Sequence, residues 1–88
     1  MSVNLSFERT SALLKRRAVG KSKHHQDVKD GRWVRPIHDG KAALYPVHED
    51  DQLLAAIAAG STEIQRRALV EQLHLARQKL PELAGRAV

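Results

Sequence analysis

Six consecutive residues carry a dense set of polar side chains that could bind a polyanion. Residues 21–26, Lys-Ser-Lys-His-His-Gln, offer two ammonium groups, two imidazoles, a hydroxyl and an amide. Ammonium groups bind phosphate oxygens and donate to guanine, a glutamine amide can pair with adenine, and a neutral imidazole can donate or accept. This set of groups is typical of a surface that binds the phosphates and base edges of DNA.

A short helix must position these groups, and the pattern predicts one over residues 21–30, ended by Gly31. Val28 is its one clear apolar anchor, so burial of apolar surface cannot by itself hold this helix in place. Val19 and Gly20 break the helix before it. We expect Gly20 to adopt the positive φ that a sharp turn between helices often needs.

The segment before this turn is predicted to contain one helix. Residues 1–7 are expected to be a flexible arm, with Leu5 and Phe7 available to pack. A helix capped by Thr10 or Ser11 then runs to about residue 17.

A two-stranded hairpin is predicted after the polar helix. Its first strand-like residues are Trp33, Val34 and Ile37. Pro36 restricts that strand to a sheet edge, and Asp39-Gly40 is a strong hairpin signal within the turn at residues 38–41. Residues 42–45 form the returning strand. Trp33 is expected to pack in the core or between helix and hairpin rather than to stack on a base.

The rest of the chain is predicted to form two helices. Pro46 suits the first turn of a third helix, and Gly60 ends it. A fourth helix runs to about Leu80, and Thr62 can cap it in a box with Gln65. The order helix, turn, helix, hairpin, helix, helix predicts a mainly helical fold with a small β-hairpin wing, a winged helix-turn-helix. We expect residues 1–88 to be a single domain, with residues 61–88 as its C-terminal helix and tail.

Charge is unevenly distributed along the chain. Its net charge is +5, and residues 1–41 hold ten Lys and Arg against four Asp and Glu, whereas residues 42–88 hold five against six. A basic half indicates a polyanionic partner, and nucleic acid before a membrane, because no basic amphipathic helix with an aromatic face is present. The chain has no cysteine and no apolar run of about 20 residues, so we expect a cytoplasmic protein with no membrane contact.

No group of residues indicates an enzyme, a cofactor site or a metal site. His24 and His25 diverge by about 100° on a helix and cannot easily share an ion. Residues 20–22, Gly-Lys-Ser, lack the upstream glycine of a phosphate-binding loop. We therefore expect no catalytic residues, no metal ligands and no cofactor.

The last helix contains a short heptad pattern. Its members are Leu69, Leu73, Ala76, Leu80 and Leu83. This spacing is typical of a coiled-coil seam, although it covers only about two heptads and Pro81 lies within it. Two interpretations stay open, packing of the helix back on its own domain and a weak homodimer through Leu69, Leu73, Ala76 and Leu80.

In this order of elements, the sequence resembles the AlpA family of phage and prophage regulators, which are related to excisionases and to MerR-type winged-helix proteins. Residues 18–20, Ala-Val-Gly, stand at the turn of the family, and residues 21–25 open its recognition helix. Residues 30–37, Asp-Gly-Arg-Trp-Val-Arg-Pro-Ile, match its next segment almost position by position. Further matches lie at residues 43–49, 55–60, 69–73 and 76–77.

Three positions depart from the family pattern. Ala18 stands where glycine is usual, Gly20 where a capping serine is usual, and Tyr45 where tryptophan is common. By the same resemblance, His25 would fill the aromatic position of the recognition helix and be half packed against the core.

The basic half and the order of elements predict which residues meet double-stranded DNA. The recognition-helix residues are Lys21, Ser22, Lys23, His24 and Gln26, of which Ser22 is expected to bind a phosphate. The residues expected to touch the backbone or the adjacent minor groove are Arg16, Arg17, Arg35, His38 and Lys41.

The resemblance implies a sequence-specific DNA-binding protein that regulates transcription, of the phage and prophage type, in the bacterial cytoplasm. A first alternative is an excisionase-like recombination directionality factor, which would bend DNA and recruit a phage integrase. A second alternative, from another class, is a protein-interaction adaptor that uses the heptad helix. The uneven charge argues against the adaptor.

Overall fold

Seven elements follow one another along residues 5–80, the part of the chain that the computed structural model describes. They are β1 (Phe7–Arg9), α1 (Thr10–Arg17), α2 (Lys21–Lys29), β2 (Ile37–Asp39), β3 (Ala42–Pro46), α3 (Val47–Ala58) and α4 (Glu63–Arg77). Within these residues the prediction of a mainly helical fold with a small sheet is confirmed. None of the helices described is long and apolar enough to cross a membrane.

The sheet has three antiparallel strands in the order β1-β3-β2, and not the two strands predicted. The hairpin itself is confirmed: Asp39 pairs with Ala42, and Gly40 adopts a φ of 62° in the turn between them. The first strand starts only at Ile37, so the prediction that it includes Trp33 is wrong.

Strand β1 is the element that the sequence did not indicate. Phe7 pairs with Pro46 and Arg9 with Leu44, and the amide of Val47 donates to the carbonyl of Ser6 at 2.8 Å. Ser6 and Phe7 of the predicted arm are therefore attached to the fold, whereas residues 1–4 lie outside the described part. A three-residue strand with two charged residues has no clear local pattern, because its stability comes from a partner strand far along the chain.

The turn between α1 and α2 is built differently from the prediction. Gly20 has a φ of −85°, and the positive φ belongs to Ala18, at 57°. The amide of Val19 donates to Leu14 and that of Ala18 to Lys15, which is the hydrogen-bond pattern of a Schellman motif. Gly20 instead begins α2 in an extended conformation.

The hydrophobic core lies where α1, α3 and α4 meet the loop after α2 and the sheet. Its buried members are Leu13, Trp33, Val34, Tyr45, Leu53, Val70 and Leu73. The expectation that Trp33 packs in the core is confirmed, and its indole Nε1 donates to Asp50 Oδ1 at 3.1 Å. Val28 is half-buried against this core, as the anchor role predicts.

Helices α3 and α4 largely follow the sequence signals. Pro46 is the last residue of β3 and precedes α3 by one position, and Gly60 follows that helix with a φ of 77°. The predicted capping box of Thr62 and Gln65 is confirmed, with both of its hydrogen bonds present. Helix α4 ends at Arg77, three residues before the expected end.

The heptad residues that belong to α4, Leu69, Leu73 and Ala76, lie on the side of this helix that faces α3. Leu73 belongs to the core and Leu69 packs against it, which agrees with packing of the helix back on its own domain. Ala76 is exposed and Leu80 half-buried, whereas Leu83 lies outside the described residues. The homodimer stays a prediction.

Candidate nucleic-acid interface

One face of α2 points away from the protein and carries only polar side chains. Ser22, His25, Gln26 and Lys29 are exposed, and their spacing of three, four and seven residues places them on one side of the helix. The opposite side is buried or half-buried and consists of His24, Asp27 and Val28. These four exposed residues, which we call the outer face of α2, can offer hydroxyl, imidazole, amide and ammonium groups to a ligand.

The prediction that His24 contacts DNA is wrong, because its side chain is 0% exposed. Its Nδ1 lies 2.8 Å from Arg17 Nη1 and its Nε2 lies 2.8 Å from Tyr45 Oη. A guanidinium can only donate, so Nδ1 accepts, and Nε2 carries the proton and donates to Tyr45. Burial, followed by the nearby charge of Arg17, lowers the pKa of His24 to about 4.

His25, expected to be half-packed, is the exposed histidine of the pair. The reason is helical periodicity: Val28 is the anchor, and the residue four positions before it must share its side of the helix. That residue is His24. The spacing from Val28 is a signal in the sequence from which the burial of His24 and the outward-facing positions of His25 and Lys29 could have been predicted.

Asp27 holds α2 in place through a buried ionic cluster. Its carboxylate, 0% exposed, accepts from Arg17 Nη2 at 2.6 Å, from Lys23 Nζ at 3.0 Å and from Arg32 Nε at 3.1 Å. Its backbone carbonyl also accepts from the amides of Arg32 and Trp33. Burial alone would raise the pKa of Asp27, but the hydrogen bonds from Arg17 and Lys23 outweigh it and lower that pKa.

Arg17 is a part of this cluster and not a free phosphate contact, so that prediction is wrong as well. Its side chain is only 3% exposed, and its guanidinium lies 3.9 Å from the centre of the Trp33 ring. Stacking on an aromatic face suits the planar guanidinium. Arg17 therefore links α1, α2 and the core.

Arg16 and Lys23 keep exposed surface but have acidic partners. Arg16 forms two hydrogen bonds to Glu8 and one of 2.8 Å to Asp51. Lys23 reaches Asp27 from a side chain that is 54% exposed. A phosphate would compete with a carboxylate at both positions.

The remaining basic residues of the first half have no acidic partner within the described residues. Of the ten Lys and Arg in residues 1–41, four are in ion pairs. The six others are all exposed: Arg9, Lys15, Lys21, Lys29, Arg35 and Lys41. Three of the four acids in this half are paired, and Asp39 at the hairpin is the exposed exception. Most acidic side chains of this half are thus paired with arginine or lysine. The six exposed basic side chains without such partners in the described residues make the surface positively charged.

The other predicted contacts lie on the hairpin and on α2, and all of them are exposed. His38 lies on β2, Lys41 in the turn and Arg35 just before β2. Lys21 and Ser22 lie at the start of α2, and the Nε2 of Gln26 donates to both carboxylate oxygens of Asp30 at 3.0 Å.

A second buried carboxyl lies between β1 and α3. Asp50 is 0% exposed, and burial first, then the neighbouring Glu8 carboxylate, raises its pKa to about 8. Its Oδ1 accepts from the Trp33 indole, its Oδ2 has no hydrogen-bond partner among the described residues, and Glu8 is paired with Arg16. These contacts join the N-terminal strand to the core.

The described residues contain no group of three His, Asp or Glu side chains that could hold a metal ion. The rings of His24 and His25 are 6.1 Å apart, and both nitrogens of His24 are already engaged. A groove of about 300 Å³ runs between α3 and α4, and its apolar floor is formed by the heptad residues Leu69, Leu73, Ala76 and Leu80.

The chain matches no protein-family model, no curated protein and no solved structure. The resemblance to AlpA regulators stays an expectation drawn from the order and spacing of short motifs. The outer face of α2, the hairpin and the positive charge around them are the features of this chain that indicate its function.

Proposed function

We propose that this protein binds double-stranded DNA sequence-specifically and regulates transcription, in the manner of AlpA-type phage and prophage regulators. Helices α1 and α2 with their turn act as the helix-turn-helix, and the β2–β3 hairpin acts as the wing. The outer face of α2 lies in the major groove, and the wing follows the neighbouring backbone.

The observation that carries the proposal is how α2 is attached. Its inner side is fixed by His24 and by the ionic cluster of Asp27, so that its outer face needs no apolar residue and has none. A helix held by buried polar contacts is costly to build, because every buried charge must be paired. Such a helix presents a fully polar surface in a fixed orientation, which suits hydrogen bonding to base edges.

The six basic residues that have no acidic partner within residues 5–80 support the same proposal. They are available to release counterions from phosphates, the source of most non-specific affinity for DNA. Lys21 and Lys29 lie at the two ends of α2, and Arg35 and Lys41 lie at the hairpin. Sequence would be read by His25, Gln26 and Lys29, with Ser22 on a phosphate.

The direct test is selection of a binding site from a random pool of duplexes, followed by measured affinities. We expect Gln26→Ala to weaken binding by about 1–3 kcal/mol through the loss of preference at one base pair. The matched control is Lys79→Ala, which removes an exposed charge in the half of the chain that carries no predicted DNA contact. If the wild-type protein binds selected and random duplexes equally, the proposal is wrong.

Bending of the selected duplex distinguishes a regulator from an excisionase-like factor. A recombination directionality factor bends its site, and a circular-permutation gel assay would report a bend of tens of degrees. A regulator that binds straight DNA would show none. Failure to bind any duplex would favour an adaptor that uses the groove between α3 and α4.

A further inference from the structure

Two side chains of helix α4 form hydrogen bonds to the backbone of Arg35, which lies two residues before the first strand of the hairpin. The amide of Arg35 donates to His74 Nε2 at 3.0 Å, and the carbonyl of Arg35 accepts from Arg77 Nη2 at 2.8 Å. Arg77 is in turn held by Glu49 of α3, through hydrogen bonds of 2.6 to 3.1 Å. Both polar groups of the Arg35 backbone are thus satisfied by one helix, an arrangement we call the α4 clasp.

The neighbours of Arg35 strengthen the clasp. Val34 is fully buried in the core, and Pro36 has a φ fixed by its ring. The side chain of Arg35, in contrast, is exposed and has no acidic partner in the described part of the chain. A rigid backbone therefore carries a free guanidinium next to β2.

We propose that α4 is a positioning element for Arg35, whose guanidinium binds the DNA backbone beside the wing, and that His74 is the positioning residue. This inference rests on the proposed DNA-binding function. It gives α4 a role in recognition although no residue of α4 needs to touch DNA. A guanidinium placed by a rigid backbone loses less conformational freedom when it binds a phosphate, which is the benefit of preorganisation.

The clasp depends on the protonation state of His74. Nε2 must be unprotonated to accept from the Arg35 amide, so the neutral ring carries its proton on Nδ1. The groups that face this ring are Arg35 on the loop, Arg77 on α4 and Glu49 on α3. Burial first, and then the charges of Arg35 and Arg77, lower the pKa of His74, which keeps the acceptor available at neutral pH.

A double-mutant cycle distinguishes positioning from a general loss of stability. We expect Arg35→Ala to weaken binding to the selected duplex by about fivefold or more, the scale of one charged phosphate contact. His74→Leu, which removes the acceptor, should cause most of the same loss. In the Arg35→Ala background, His74→Leu should have almost no further effect, because the group it positions is gone.

The conservative variant supplies the second readout. In His74→Gln the amide oxygen can still accept from Arg35, but the side chain cannot titrate, so affinity at pH 7.5 should be kept. As pH falls below the ordinary histidine pKa of about 6.5, the wild type should lose affinity relative to His74→Gln, because only the wild type protonates its acceptor. The exposed histidines are present in both proteins, so their protonation cancels in this ratio.

A third measurement does not require DNA. Hydrogen exchange at the Arg35 amide should be protected in the wild type and in His74→Gln, and should accelerate in His74→Leu. If this amide exchanges equally in all three proteins, the clasp is wrong. If the wild type binds the duplex but Arg35→Ala costs nothing, or if the two losses simply add, the positioning role is wrong while the proposed function stands. If the wild type binds no duplex, the proposed function is wrong and the positioning role is wrong with it.

Discussion

At the scale of single residues, His24 and Asp27 determine how α2 is held. Both side chains are fully buried, and both have hydrogen-bond partners on other elements: Arg17 on α1 and Tyr45 on β3. Buried polar groups stabilise a protein only when their partners are in place, and losing one partner leaves the other unpaired. These two positions are therefore the most sensitive polar sites for the stability of α2.

Replacing Asp27 with asparagine should destabilise the protein strongly. The variant leaves the buried Arg17 guanidinium without a counter-charge, and we expect the free energy of unfolding to fall by about 2–4 kcal/mol. Urea denaturation followed by circular dichroism measures this change. The control is Asp51→Asn, whose side chain is 56% exposed and whose pair with Arg16 should contribute less than about 1 kcal/mol. Equal losses in the two variants would contradict the role of the cluster.

The titration of His24 should make stability depend on pH in one direction. Its pKa is lowered from 6.5 to about 4 in the folded protein, so between these values the unfolded chain binds more protons. The stabilisation is fully present above pH 6.5 and is lost as pH falls towards 4, by about 2–4 kcal/mol. Unfolding free energies of the wild type and His24→Gln from pH 7.5 to 4.5 isolate this contribution, because Asp50 and His74 titrate in both proteins. If the unfolding free energies of the two proteins change in parallel with pH, the assigned contribution of His24 is wrong.

At the scale of elements, the turn between α1 and α2 contains a residue in an unfavourable conformation. Ala18 has a φ of 57°, the left-handed region that alanine adopts at a cost and glycine adopts freely. The hydrogen bonds that end α1 require this conformation at position 18. The sequence analysis expected the positive φ at Gly20, which lies two residues beyond the position that the motif requires.

Ala18→Gly should therefore stabilise the protein, by about 0.5–1 kcal/mol, because it removes the cost of the left-handed conformation. Thermal unfolding of the variant should show a higher Tm. The matched control is Gly40→Ala, which places a side chain at a φ of 62° in the hairpin and should destabilise by a similar amount. A lower Tm for Ala18→Gly would contradict the assigned turn.

At the scale of the whole molecule, the folded chain separates paired from unpaired charge. The acids of the first half neutralise arginines that hold the structure together, and six basic side chains remain exposed without acidic partners in the described residues. The distribution of net charge in the sequence indicated a basic half. Which cations in it are available for a ligand depends on the ion pairs that the fold makes.

The salt dependence of DNA affinity should report how many of these six cations contact phosphates. Each phosphate that a lysine or arginine neutralises contributes about −0.9 to the slope of log affinity against log salt, so six of them set a limit of about −5. Lys41→Ala should make the slope less steep by about 0.9 and weaken all duplexes alike, as fluorescence anisotropy would show. Lys79→Ala, on the opposite half of the chain, should leave the slope unchanged. An unchanged slope for Lys41→Ala would exclude the hairpin from the interface.

Local sequence signals were enough to predict the order of helices and hairpin, the Asp39-Gly40 turn, the capping box of Thr62 and the uneven charge. These features depend on neighbouring residues, whose effects can be read over a few positions. Long-range contacts determine which partners His24 has, that Arg17 is buried in an ion pair with Asp27, and that residues 7–9 form a strand. The reason is distance along the chain: the partner of His24 is Tyr45, 21 residues away, and β1 pairs with β3 across most of the first half. The ionisation of a buried polar side chain depends on such partners, and no local pattern contains them.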